Sequence, residues 1–210
     1  MNSFGDTEKC QEHKMETVLR MYITLLPAIA APALNMVWCK FHYLKFLEKP
    51  IDNHIVLKDG KRLFGANKTW KGLAGMAVLG IICATVWGAV CGKSQFLSMH
   101  NFMYSHFNNS IRYNALMGLL FGLAYSLFEL PNSFIKRRMD IEPGKSKSGP
   151  AGIVNIFIDQ VDSVIGCVLV LNLVYKVSIS MFIGFIFLGA FTHIIINILL
   201  YLLKLRKTMM

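Results

Sequence analysis

The stretch Glu129–Asp162, ELPNSFIKRRMDIEPGKSKSGPAGIVNIFIDQVD, decides what kind of chain this is. It joins the end of one apolar run to a basic segment broken by Gly and Pro, and then to a second apolar run holding Asp159 and Asp162. A carboxylate inside a membrane helix is expensive on any scale, so it marks a functional position. Three residues apart, the two aspartates share one face of a helix. Glu129 closes the preceding run just before Pro131, and Lys136, Arg137, Arg138, Lys145 and Lys147 lie between the acids. Acids and bases gathered at a membrane surface suit a polyphosphate that carries a divalent cation.

The rest of the chain agrees with a membrane setting. Of its 210 residues, 54% are hydrophobic and 16% charged, where a soluble domain carries about a quarter charged residues. Apolar runs long enough to cross a bilayer occur near residues 21–39, 73–91, 113–130, 151–175 and 177–203. These predict an all-α polytopic protein of about five transmembrane helices, with a loosely ordered polar tail over 1–16 and one membrane-embedded domain over 17–210. Pro27 and Pro32 predict kinks in the first helix. Residues 131–149 read as a loop, and Gly118-x-x-x-Gly122 as a weak helix-packing signal. The net charge of +10 comes with no nucleic-acid-binding motif, so it points to loops beside a bilayer and to an anionic ligand. The five cysteines are scattered, without metal or disulfide spacing.

Lysine and arginine set the orientation. The 40–72 segment, the 131–149 segment and the C-terminal tail together hold sixteen of them, against six in the alternate segments. The positive-inside rule therefore puts the C-terminus in the cytoplasm and the N-terminus outside, with both long basic segments facing one compartment. One cytoplasm-facing pocket could then collect Glu129, Asp159, Asp162 and the bases.

Three groups carry candidate chemistry. Asp159 and Asp162 offer the hard oxygens that Mg²⁺ prefers; the plainer alternative is an acid pair neutralised by buried bases. Ser133 to Arg138 brings Lys136, Arg137 and Arg138 to phosphate, although positive-inside anchoring alone would also explain three bases. Lys58 to Gly72, KDGKRLFGANKTWKG, combines glycines that admit phosphate close to the backbone with Arg62, Asn67, Lys68 and Lys71; a surface loop with an interfacial Trp70 would look similar. Gly88 to Ser94 imitates a P-loop but is one residue short and ends a membrane helix. His100 and His106 read as surface residues. Asn108-Asn109-Ser110 is a glycosylation sequon on the outer side.

The order SFIKRR, a Gly/Pro-containing loop, then IDQVD in an apolar helix resembles the CDP-alcohol-forming lipid cytidylyltransferases, more closely the CDP-archaeol synthases than the CDP-diacylglycerol synthases. FGANKTWKG ahead of the second helix and the short five-helix chain resemble the archaeol-type branch too. The resemblance covers residues 58–166. It implies a membrane enzyme that condenses CTP with a lipid phosphate to give CDP-lipid and pyrophosphate. Asp159 and Asp162 would bind Mg²⁺, with Glu129 as a third candidate ligand; Lys136 would join the two aspartates as a catalytic group. Arg62, Asn67, Lys68, Lys71, Ser133, Arg137 and Arg138 would bind substrate phosphates. Where the family has Gly-Asp ahead of Ser-x-x-Lys-Arg, this chain reads Glu129-Leu130-Pro131-Asn132, with Glu129 as the candidate replacement for that Asp. The family's His-Gly-Gly is replaced by Gly149-Pro150-Ala151-Gly152, which points away from the diacylglycerol branch. The expected setting is the cell membrane, with the site facing the cytoplasm and no nucleic-acid partner. The competing readings are an ion-coupled transporter and a non-catalytic relative that binds anionic lipid.

Overall fold

The computed structural model describes residues 3–41, 44–143 and 150–203. Six α-helices follow in order among them: α1 Ser3–Lys40, α2 Trp70–Gly92, α3 Gln95–Met99, α4 Ile111–Arg138, α5 Pro150–Asn172 and α6 Ile179–Leu202. Only two isolated β-bridges, Pro50 to Thr69 and Val56 to Arg62, interrupt the helical pattern among the described residues. The five long helices coincide with the five apolar runs. Of these, α2, α4, α6 and the Gln11–Lys40 part of α1 are long and apolar enough to cross a membrane.

Local sequence explains where the helices begin. Thr69, Ser110 and Ser178 stand ahead of α2, α4 and α6, and each side-chain oxygen accepts from a backbone N–H of the first turn. Pro150 opens α5, where its missing N–H has no intrahelical duty.

Two expectations need correction. Helix α1 is already formed at Ser3, so the segment read as a loose tail is helical almost throughout. The helix continues through Pro27 and Pro32. Most important, α4 does not stop at Leu130: it continues through Pro131 to Arg138, so SFIKRR is helix and not loop. Its end has a clear cause. Ile141 N–H bonds Lys136 C=O at 3.0 Å and Asp140 N–H bonds Arg137 C=O at 3.3 Å, with Asp140 left-handed at φ 58°. That is a Schellman-type ending, anchored by the buried Ile141. Lys136, Arg137 and Arg138 in the last turn also favour the negative end of the helix dipole.

Packing is closest where α2 crosses α4. A Cβ on Gly118 would lie 2.2 Å from Gly80 O, and one on Gly122 would lie 2.2 Å from Met76 O. The Gly118-x-x-x-Gly122 spacing is thus a backbone-to-backbone contact. Phe102, Met117, Phe121, Val168, Leu171 and Phe185 fill the core toward the other end of the bundle. Val78, Ile82, Val86 and Val90 on α2, and Ile183, Phe187, Phe191, Ile195 and Leu199 on α6, form exposed apolar stripes four residues apart. Such stripes require a lipid solvent.

The two basic segments meet at one end of the bundle. Lys61 Nζ donates to Arg138 O at 2.9 Å and to Asp140 Oδ2 at 2.7 Å. Arg138 Nε lies 2.9 Å from Asp59 Oδ2, and its Nη2 donates to Arg62 O. The fully buried Asp52 side chain pins the turn from the other side: Arg62 Nη2 and the backbone N–H groups of His54, Phe64 and Gly65 all donate to it. Burial pushes the Asp52 carboxyl up, but these donors outweigh it and hold it below the ordinary aspartate value.

Candidate active site

Extending α4 past Pro131 places Glu129, Asn132, Ser133 and Lys136 at i, i+3, i+4 and i+7, on one stripe. Asp159, Asp162 and Ser163 form the matching stripe on α5. The two stripes face each other. Asn132 Nδ2 donates to Asp159 Oδ1 at 2.6 Å and to Asp162 Oδ2 at 2.8 Å, so one amide bridges both aspartates. Lys136 Nζ pairs with Asp159. Ser163 Oγ donates to Asp162 Oδ1 at 3.0 Å and to Glu129 Oε1 at 3.3 Å.

The 41–69 segment completes the cluster. Lys68 Nζ pairs with Glu129. Burial draws the Lys68 ammonium down, but Glu129, with Asp162 and Asp159 beyond it, more than compensates, so Lys68 stays charged above its ordinary value. These residues border a cavity of about 610 Å³. Asn67, Lys68, Glu129, Lys136, Arg137 and Asp162 line it, together with Lys71, Ser133 and Asp159. Part of its wall is less polar: Pro32, Ala33 and Met36 of α1, and Ile196 and Leu200 of α6.

Most of the residues singled out in the sequence therefore converge. Arg62 and Arg138 do not line the cavity; they clasp the 41–69 segment to the end of α4. Lys71 reaches the cavity wall, yet its ammonium donates to Phe41 O and to Glu48 Oε1 at 3.0 Å, tying the end of α1 to the start of α2. Arg137 lines the cavity, and its buried Nε has no hydrogen-bond partner among the described residues. Lys145 and Lys147 lie outside the described residues. His100 stacks on Phe96, with Nε2 3.7 Å from Glu16 Oε1, at the opposite end from the site.

Asn132 and Ser163 were not among the sequence candidates. Asn132 becomes visible once α4 is carried past its proline, one helical turn from Glu129; Ser163 sits one turn from Asp159 on α5. Gln160 on α5 and His193 and Asn197 on α6 also face the cavity and were equally unmarked.

Divalent-metal chemistry can be tested against this arrangement. No group of three His, Cys, Asp or Glu side chains close enough to hold a metal ion occurs among the described residues. The two aspartate oxygens that share the Asn132 amide are nevertheless hard donors that open on a roomy polar cavity. This fits Mg²⁺, which takes one or two carboxylates and fills its shell with water and phosphate oxygens.

Fold and site together define a membrane-embedded enzyme with an acid–base cavity between its helices. The family model described as "CarS-like: CDP-archaeol synthase" matches residues 15–210. The chain belongs to this family, and is accordingly a membrane nucleotidyltransferase of lipid biosynthesis. It is 26% identical over 190 residues to the CDP-archaeol synthase of Thermofilum pendens, covering 90% of this chain and 79% of that one. It is 29% identical over 202 residues to the CDP-archaeol synthase of Aeropyrum pernix, covering 95% and 97%. The solved structure of an intramembrane enzyme for archaeal membrane lipid biosynthesis has the same fold, with a TM-score of 0.55 at 22% identity over 86% of this chain and 94% of that one.

Proposed function

We propose that the chain transfers the cytidylyl group of CTP to a membrane lipid phosphate, giving CDP-lipid and pyrophosphate. The acceptor we assign is an ether-lipid phosphate of the archaeol type, the class that the relatives' names indicate. The observation that carries this reading is the convergence of Asp159 and Asp162 with Lys68, Lys136 and Arg137 around one cavity. Residues 17–210 act as one membrane-embedded unit, with the N-terminus outside and the cavity open to the cytoplasm, where CTP is found.

In the reaction a lipid phosphate oxygen attacks the α-phosphorus of CTP, and the bond from that phosphorus to the pyrophosphate oxygen breaks. Two anions must approach, so neutralising charge is the main task. Lys136, Arg137 and Lys68 place fixed positive charge along the cavity wall, with Asn67 and Ser133 as further polar contacts to phosphate. Asp159 and Asp162 would hold Mg²⁺, with Glu129 at the edge of the site; bound there, the ion supplies further charge neutralisation on phosphate oxygens. Asn132 fixes both aspartate side chains in one orientation. Arg62, Arg138 and Lys71 act at one remove, by holding the segment that carries Asn67 and Lys68. The phosphate oxygen is itself the nucleophile, so none is needed from the protein.

The test uses the purified full chain with labelled CTP, Mg²⁺ and a panel of lipid phosphates. CDP-lipid from an archaeol-type acceptor is the expected product. No CDP-lipid from any acceptor would instead favour a scaffold that only binds anionic lipid.

A further inference from the structure

Helix α6 is apolar from end to end, yet three polar side chains interrupt its second half: Thr192, His193 and Asn197. Thr192 is satisfied locally, its Oγ1 donating to Leu188 O at 2.7 Å. His193 is different. It is 7% exposed. It lies edge-tilted against Tyr125, with ring centroids 5.7 Å apart. A polar ring held this deep in an apolar helix bundle is costly unless something polar meets it. His193 is also aimed into the cavity that holds the acids and bases.

Its neighbours give the site a direction. Asn197, one turn further along α6, lines the same cavity and donates to Gln160 Oε1 at 3.1 Å, next to Asp159. The basic groups Lys68, Lys136 and Arg137 stand on α4 and the 41–69 segment, so α6 forms a separate wall. Ile196 and Leu200 of α6 line the cavity together with Pro32, Ala33 and Met36 of α1. A recess of only about 10 Å³, bounded by core residues such as Leu25, Ala28, Val164 and Cys167, adjoins it, and Tyr125 and His193 border both spaces. His193 therefore stands where the polar wall of the large cavity gives way to its apolar α1–α6 wall. That is the boundary an amphiphile presents between its phosphate and its chain.

We infer that His193, with Asn197, binds the lipid phosphate, and that the α1–α6 side of the cavity receives the acceptor while the basic α4 side receives the nucleotide. The imidazole N–H donates to an acceptor phosphate oxygen, and the Asn197 amide, shared with Gln160, supplies a second polar contact. The inference rests on the cytidylyltransferase reading and adds the half of the site each substrate takes.

The experiment measures KM separately for CTP and for an archaeol-type lipid phosphate, on the full chain and its variants in mixed micelles. His193→Ala is expected to raise the lipid-phosphate KM about tenfold or more, the effect of losing one hydrogen bond to a charged group, and to leave the CTP KM within about twofold. His193→Gln, which keeps a donor, is expected to recover most of the loss; a role confined to packing against Tyr125 would not be rescued by it. An unchanged lipid KM in His193→Ala, or an equal rise in both KM values, overturns the inference. If His193→Ala fails to fold, Asn197→Ala carries the same expectation and the same refutation. Absence of CDP-lipid from the unmodified chain would instead count against the cytidylyltransferase reading, so the two failures are distinguishable.

Discussion

Replacing Asn132 by Ala tests how the two aspartates are held. One amide nitrogen donates to Asp159 at 2.6 Å and to Asp162 at 2.8 Å. Hydrogen bonds to charged acceptors contribute about 1.5–3 kcal/mol each. Both aspartates keep other partners: Lys136 on Asp159, and the backbone N–H and hydroxyl of Ser163 on Asp162. The loss should therefore fall below the summed range of about 3–6 kcal/mol, at about 2–3 kcal/mol. If that loss is felt in the transition state, it corresponds to a rate lower by about 30- to 150-fold, at ~1.4 kcal/mol per factor of ten. The assay is CDP-lipid formation from labelled CTP under saturating substrates. A rate for Asn132→Ala within about twofold of the unmodified chain would refute the idea that the amide organises the pair.

Gly118→Val should destabilise the bundle, because its side chain would meet Gly80 O across the α2–α4 crossing; an overpacked contact costs about 1–3 kcal/mol, read as a lower midpoint in a thermal melt of the detergent-solubilised chain. Arg138→Ala should expose the 41–69 segment to protease and raise the CTP KM with little effect on the lipid KM, since Arg138 holds that segment through Asp59 and Arg62 O. Asp52 supplies a pH test. Its carboxyl is held below its ordinary value in the folded chain, so its contribution is fully present above the unfolded value of about 3.9 and is lost as pH falls through the folded one. Amide exchange at Phe64 and Gly65 should accelerate over that acidic window, and Asp52→Asn should show faster exchange already at neutral pH.

The apolar runs made the five long helices legible, because a bilayer demands uninterrupted hydrophobic length. The charge pattern made the meeting of the two basic segments legible as well, and Lys61, Asp59, Arg62 and Arg138 supply its contacts. The course of α4 was harder to see. Pro131 reads as a terminator when taken alone, but the Schellman ending at Asp140 and Ile141 and the basic last turn carry the helix two turns further. Misplacing that boundary hid Asn132, whose role depends on being one turn past Glu129. The division of the arginines was also hidden: nothing in composition distinguishes Arg137, which lines the cavity, from Arg138, which clasps a loop. His193 and Asn197 were invisible for a different reason. Single polar residues in an apolar helix acquire meaning only when the opposite wall of the cavity is known.

Asp159→Asn and Asp162→Asn, measured across a Mg²⁺ titration with CTP and lipid phosphate saturating, test the central claim most directly. Each substitution keeps size and much of the hydrogen bonding but removes the charge that a cation needs. The account predicts that both lower CDP-lipid formation by about a hundredfold or more and raise the Mg²⁺ concentration required, as loss of a transition-state electrostatic contact does. Rates near that of the unmodified chain, with an unshifted Mg²⁺ dependence, would contradict it.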